Sequence, residues 1–171
     1  MPIKDLLLPE FDQELRKTRT VLERVPENLE MHDFKPHEKS MPMAKLAAHV
    51  AQLPSFLTLM LSTSGFDPSK SDRKPLVMQS RAQLLACFDK YSAEAHALLE
   101  ETSDRSMHET WKLSKGDQSI YDGSRYQAIR SMFFNHLIHH RAQLGVYLRL
   151  NDLPVPGVYG PSADEQFNPG N

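Results

Sequence analysis

The sequence predicts an all-α protein built as a four-helix bundle, and three observations lead to that prediction. Four stretches repeat apolar residues at steps of three and four, which is the spacing of one helix face. Segments rich in Pro, Gly, Ser and Asp separate them. No stretch alternates with period two for long enough to predict a sheet. The 171 residues have the length of one domain, which we place at residues 1–171.

The first two helices are predicted at about residues 9–25 and 42–62. Pro9 suits the first turn of the first helix, because its missing N–H has no helical partner there. Pro54 lies inside the second helix and should kink it, because proline removes one backbone donor. Residues 63–76 are rich in Ser, Gly, Pro, Asp and Lys and are predicted to form a loop.

The other two helices are predicted at about residues 78–101 and 123–151, with Asp122 as the N-cap of the last one. Between them, the polar residues 102–121 are predicted to hold either a short hairpin or an extra helical turn. Residues 152–171 are rich in Pro, Gly and Asn, which indicates an extended C-terminal tail.

Three histidines lie on the predicted buried faces of two helices. His136 and His140 are four residues apart, so they stack on one side of the last helix and can reach the same ion. His49 lies in the apolar stripe of the second helix and can supply a third nitrogen. Three neutral imidazoles suit zinc, nickel or iron(II) and leave a coordination position open. The alternative is that they are hydrogen-bonded core histidines.

Several other reactive side chains have plainer interpretations. His139 points about 100° away from His140, and we interpret it as structural. Arg141 could bind an anionic substrate, but a salt bridge is the favoured interpretation. Cys87 on an apolar helix face is interpreted as a small core residue. The remaining histidines are interpreted as solvated: His32, His37, His96 and His108.

Composition argues against several classes of protein. The net charge is −2 and no Lys/Arg run exceeds two residues, so neither nucleic-acid nor membrane-surface binding is predicted. The single cysteine allows no intrachain disulfide, and we expect a cytoplasmic protein. The longest apolar run of the second helix, residues 56–61, is too short to span a bilayer. Motifs for phosphate loops, CxxC, HExxH and helical Glu-x-x-His are absent.

Residues 46–50 (Leu-Ala-Ala-His-Val) together with residues 135–144 (Asn-His-Leu-Ile-His-His-Arg-Ala-Gln-Leu) resemble the DinB/YfiT-like superfamily. Tail residues 147–150, 154–157 and 159–165 are also similar to many members. The resemblance covers nearly the whole chain. It implies a four-helix bundle with up-down-down-up topology, and it implies a metal triad at His49, His136 and His140.

Some better-understood relatives in that superfamily are thiol-dependent isomerases and transferases that use mycothiol or bacillithiol, and most members have no assigned reaction. The resemblance therefore implies a metal-dependent thiol S-transferase or hydrolase that acts on a small electrophilic molecule. Its cofactors would be a divalent metal ion (zinc, nickel or iron) and a low-molecular-weight thiol. The alternatives are a non-catalytic metal- or ligand-binding stress protein, and an interaction module that forms a homodimer through one face of the bundle.

Overall fold

A computed structural model describes residues 1–29, 34–72 and 76–165 of the chain. Most of the described residues are helical, and a small three-stranded sheet accompanies the helices. The long helices are α1 (Ile3–Leu22), α2 (Met43–Ser62), α3 (Arg81–Glu101) and α6 (Asn135–Leu150). Two short helices, α4 (Asp104–His108) and α5 (Arg125–Ile129), lie between α3 and α6. The strands are β1 (Gly65–Phe66), β2 (Thr110–Lys115) and β3 (Gln118–Ser124).

The long helices fall in the four predicted stretches, but α1 begins earlier than predicted. It starts at Ile3, so Pro9 lies inside the helix and not in its first turn. The N-terminus has no local side-chain cap; instead the Asp104 carboxylate of α4 accepts from the backbone N–H of Ile3 at 2.7 Å. The added turns bury Leu7, which joins Phe11 in the core. A cap that comes from a distant part of the chain leaves no local signal in the sequence.

The starts of α3 and of the last helical region are set by serine caps. The Ser80 hydroxyl accepts from the N–H of Gln83 at 3.2 Å, so α3 begins at Arg81. The last region begins at Arg125, and Ser124 is its cap, not Asp122, because the preceding residues belong to β3. This region is interrupted by a π turn at Arg130–Phe134 before it continues as α6.

The sheet corrects the all-α prediction. Strand β1 pairs in parallel with β2, and β2 pairs antiparallel with β3, in the order β1-β2-β3. Both alternatives for residues 102–121 occur, since α4 supplies the extra helix and β2–β3 the hairpin. Alternation was too weak to predict these strands because Trp111 is their one buried residue. Gly116, with a φ of 59°, forms the tight turn.

Arg125 joins the hairpin to the end of α2. Its buried guanidinium donates to the backbone carbonyls of Met60 at 2.9 Å and Thr63 at 3.1 Å. These carbonyls lie at the helix C-terminus, where no further helical N–H is available to them. The C-terminal end of α2 is thereby fixed to the start of α5, so the helix that carries His49 is connected there to the region that carries His136 and His140.

Gly65 is predicted to be intolerant of substitution. A Cβ at Gly65 would lie 2.7 Å from the Lys112 carbonyl oxygen on the neighbouring strand. Gly65→Ala should therefore lower the free energy of unfolding by about 1–3 kcal/mol, as overpacking does elsewhere. Urea unfolding measures this effect. Gly160→Ala is the control, because a Cβ at that position would meet no atom within 4 Å. Equal stability of the two variants would contradict the prediction.

Residues 152–165 contain no helix, which agrees with the predicted extended tail as far as the structure describes it. The described helices include none that is long and apolar enough to cross a membrane. The bundle with up-down-down-up topology, the kink at Pro54 and the single domain stay predictions.

Candidate metal centre

His49, His136 and His140 lie together between α2 and α6. One nitrogen from each ring lies within 4.8 Å of one nitrogen of the other two, and all three side chains are half-buried. The Nε2 atoms of His49 and His136 are 3.2 Å apart. The ring centroid of His140 is 4.6 Å from each of the other two. The structure thus brings together the three residues that the sequence singled out.

The two helices hold these rings against the core. The α6 pair follows directly after the π turn, and such turns occur frequently at functional sites because they change the phase of the residues that follow. The apolar residues three or four positions away from the histidines on the same helices are buried: Leu46, Leu53, Leu137 and Leu144.

Burial keeps the three imidazoles neutral. Desolvation, followed by repulsion from His140 and His136, lowers the pKa of His49 to about 4. The pKa values of His136 and His140 are also lowered, mainly by burial. A neutral ring has one nitrogen lone pair, which is the form that binds metal. Near neutral pH each ring therefore has one lone pair, and in the metal-free protein the hydrogen bond between Nε2 of His49 and Nε2 of His136 uses one of the three.

These lowered pKa values predict that the metal-free protein loses stability in mild acid. Between pH 6.5 and about 4, His49 in the unfolded chain takes up a proton that folded His49 does not. The free energy of unfolding should therefore fall as the pH is lowered through this window. Urea unfolding of chelator-treated protein at several pH values measures it. The His49→Gln variant should show a flatter dependence, and an unchanged slope would contradict the prediction.

Two groups on the same helical region contact the distal side of the α6 histidines, and sequence reasoning did not single them out. The Nδ1 atom of His140 lies 2.8 Å from Oε1 of Gln143. The His136 ring hydrogen-bonds to the backbone of Met132 inside the π turn, a contact that by itself raises its pKa. The spacing of three residues between His140 and Gln143 on one helix is the sequence pattern that could have predicted their contact.

The neighbouring candidates have structural contacts. His139 is exposed and touches the His140 ring edge-on, with centroids 4.9 Å apart. Arg141 forms a buried salt bridge, 2.6 Å from Nη2 to Oε2 of Glu14, as the favoured interpretation predicted. Cys87 is half-buried, and burial raises the pKa of its thiol to about 11. At neutral pH this thiol is protonated and a poor nucleophile.

Three of the remaining histidines are described by the structure, and none of these three belongs to the cluster. His37 and His108 are exposed, as predicted. His96 is partly covered, and its Nε2 lies 3.5 Å from the Asp12 carboxylate, so it is paired and not simply solvated. His32 lies outside the described residues.

The donor set fits a borderline divalent ion. Three uncharged imidazoles are present, and among the described residues the cluster contains no carboxylate or thiolate. Such a set suits zinc, nickel or iron(II) better than magnesium or calcium, which prefer oxygen ligands. Three protein ligands also leave room for a further ligand, whereas structural zinc sites usually have four.

A mostly helical protein with a three-histidine candidate metal centre is the class that the fold and the site define. The sequence model of the DinB family matches residues 1–169, and the chain belongs to the DinB family. No curated protein matches the chain significantly.

Two solved structures show the same fold. A DinB-like protein from Bacillus cereus ATCC 10987 is 17% identical with a TM-score of 0.70, and the alignment covers 92% of this chain and 98% of that one. A DinB-like protein from Bacillus subtilis is 18% identical with a TM-score of 0.64, covering 87% and 96%. At these identities the likeness shows the fold alone.

Proposed function

We propose that His49, His136 and His140 bind one divalent metal ion, and that the protein is a metal-dependent enzyme of the thiol S-transferase or hydrolase type. The observation that carries the proposal is the convergence of the three half-buried ring nitrogens within 4.8 Å. Three neutral imidazoles this close together, in a cluster that contains no carboxylate among the described residues, are well suited to bind one cation.

The chemistry follows from the charge of such a site. A divalent ion held by three neutral ligands keeps its full charge and lowers the pKa of a bound thiol or water. The three histidines would hold the ion, and three protein ligands are fewer than the four of a typical structural zinc site. Their half-buried position limits competing hydration.

The thiol of such a reaction would come from outside the chain. Cys87 is the protein's one cysteine, and its thiol contacts the Ala51 carbonyl while burial raises its pKa to about 11. Cys87 therefore lacks the thiolate character of a nucleophile. This supports the use of a low-molecular-weight thiol as cofactor and a small electrophilic molecule as substrate.

The proposal includes three features beyond the site. The family resemblance implies a four-helix bundle with up-down-down-up topology. The single cysteine favours a cytoplasmic location, and one face of the bundle is proposed to form a homodimer. Gel filtration with light scattering tests the homodimer. A monomer at micromolar concentration would contradict the proposed homodimer but not the proposed metal site.

A screen of thiols against an electrophile tests the activity. Protein loaded with zinc, nickel or iron(II) is mixed with chloro-dinitrobenzene and each of several low-molecular-weight thiols, and conjugation is followed by absorbance. We expect conjugation that requires both the metal and the added thiol and that persists in Cys87→Ser. Metal-loaded protein without conjugation or hydrolysis across the panel would favour the non-catalytic binding protein.

A further inference from the structure

The contact between Gln143 and His140 defines which ring nitrogen is free. Oε1 of Gln143 lies 2.8 Å from Nδ1 of His140. An amide oxygen can only accept a hydrogen bond, so Nδ1 carries the proton in this contact. A neutral imidazole has one N–H, and the lone pair of His140 is therefore on Nε2.

We propose that Gln143 is a positioning residue that fixes His140 in the Nδ1–H tautomer and leaves its Nε2 lone pair for the cluster with His49 and His136. The role of this tautomer in metal binding rests on the proposed function. The hydrogen bond and the tautomer are independent of that proposal.

The other α6 histidine also interacts with a backbone group. A hydrogen bond to the backbone of Met132, four residues earlier, raises the pKa of His136, and Nε2 of His136 lies 3.2 Å from Nε2 of His49. Histidines that bind metals almost always donate their second ring nitrogen to a carbonyl, carboxylate or water, which fixes both tautomer and ring orientation. Gln143 would do this for His140 through its amide oxygen.

An amide differs from the carboxylate that could occupy the same position. It orients the ring but adds no negative charge. The acceptor and the length of the side chain are retained in Gln143→Glu, which should therefore preserve the tautomer. Gln143→Met keeps a side chain of similar shape but has no amide oxygen to accept the hydrogen bond. His140 should then no longer be held in the Nδ1–H tautomer. Because Gln143 is exposed, neither variant should disturb the core.

Gln52 provides a matched control within the chain. It follows His49 by three residues on α2, as Gln143 follows His140 on α6. Its amide, however, donates to the Ala48 carbonyl at 3.0 Å and does not bond to an imidazole. Gln52→Met should therefore remove a glutamine at the same spacing without releasing a ring.

Nitrogen-15 NMR of the imidazole rings in chelator-treated protein near neutral pH tests the tautomer. We expect His140 to be Nδ1–H in the wild type, in Gln143→Glu and in Gln52→Met. In Gln143→Met we expect His140 to be either a mixture of the two tautomers or mainly the Nε2–H tautomer. Zinc affinity, measured by competition with a chromophoric chelator, should fall roughly 10–100-fold in Gln143→Met, as for other partners of metal ligands, and should stay near the wild-type value in Gln52→Met.

Two results would overturn the inference. One is an Nε2–H tautomer of His140 in the wild type, which would mean that the amide nitrogen of Gln143 faces the ring. The other is a Gln143→Met variant with the wild-type tautomer. If the tautomers change as expected while even the wild type fails to retain zinc, the role of Gln143 stands and the proposed metal site fails.

Discussion

Replacing His136 with alanine is expected to abolish stoichiometric metal binding. His136 contributes the nitrogen that lies 3.2 Å from Nε2 of His49, and its loss leaves two ligands from different helices. Losing a ligand should weaken affinity by more than the roughly 10–100-fold that loss of a ligand's hydrogen-bonding partner causes. Elemental analysis of protein purified without an affinity tag, with and without added zinc or nickel, measures the effect.

His139→Ala is the control for that experiment. His139 is exposed and adjacent to His140, so its replacement removes a histidine from the same helix without removing a predicted ligand. It should retain metal as the wild type does. Equally little metal in wild type, His136→Ala and His139→Ala, with added metal not retained, would mean that the three histidines are a hydrogen-bonded cluster and not a metal centre.

Replacing Arg141 with methionine is expected to lower the free energy of unfolding by up to about 3–5 kcal/mol, because it removes the closer of the two cations that pair with a buried carboxylate. The second cation, Lys17, stays in place with its Nζ 3.7 Å from Oε1 of Glu14. Nη2 of Arg141 lies 2.6 Å from Oε2 of Glu14, and the two side chains are 2% and 6% exposed. Nη1 also donates to the hydroxyl of Thr18 at 3.2 Å. The hydroxyl of Tyr159 donates to Glu14 and accepts from Arg141, both at 2.6 Å. Urea unfolding measures the loss.

Two further variants distinguish two causes of the loss of stability in Arg141→Met: the charge of Glu14 that loses its closer partner, and the packing contacts of the Arg141 side chain. Replacing both members of the pair, Glu14→Leu with Arg141→Met, removes the buried carboxylate together with its closer cation and should recover most of the stability. Arg19→Met breaks an exposed pair with Asp89 and should change the free energy of unfolding by less than about 1 kcal/mol. If Arg141→Met is no more destabilising than Arg19→Met, the buried network contributes little.

The sequence was most informative where the signal was periodic. Helical spacing located the four long helices, and helical phase separated His139 from His136 and His140. It also placed His49 on the face that meets them, although the two regions are 87 residues apart. The spacing of apolar residues is read over many positions, so a single irregular residue did not prevent the prediction of a helix.

The features that the sequence analysis missed or left open lack a strong local pattern, and most of them depend on contacts between distant residues. The start of α1 is capped by Asp104, 101 residues away, and no local pattern can show that. The hairpin has a single buried residue, Trp111, so its strands lack alternation. The salt bridge of Arg141 was favoured, but its partner Glu14 lies 127 residues earlier along the chain.

The separation of the three histidines along the chain has a kinetic consequence. His136 and His140 come together as soon as α6 forms, which is a local and rapid event. His49 joins them only after a loop of 87 residues has closed, and the entropy of closing that loop is paid before the contact forms. If this contact is absent from the folding transition state, an ion that needs all three nitrogens binds after the folding barrier. It would slow unfolding and leave the folding rate nearly unchanged.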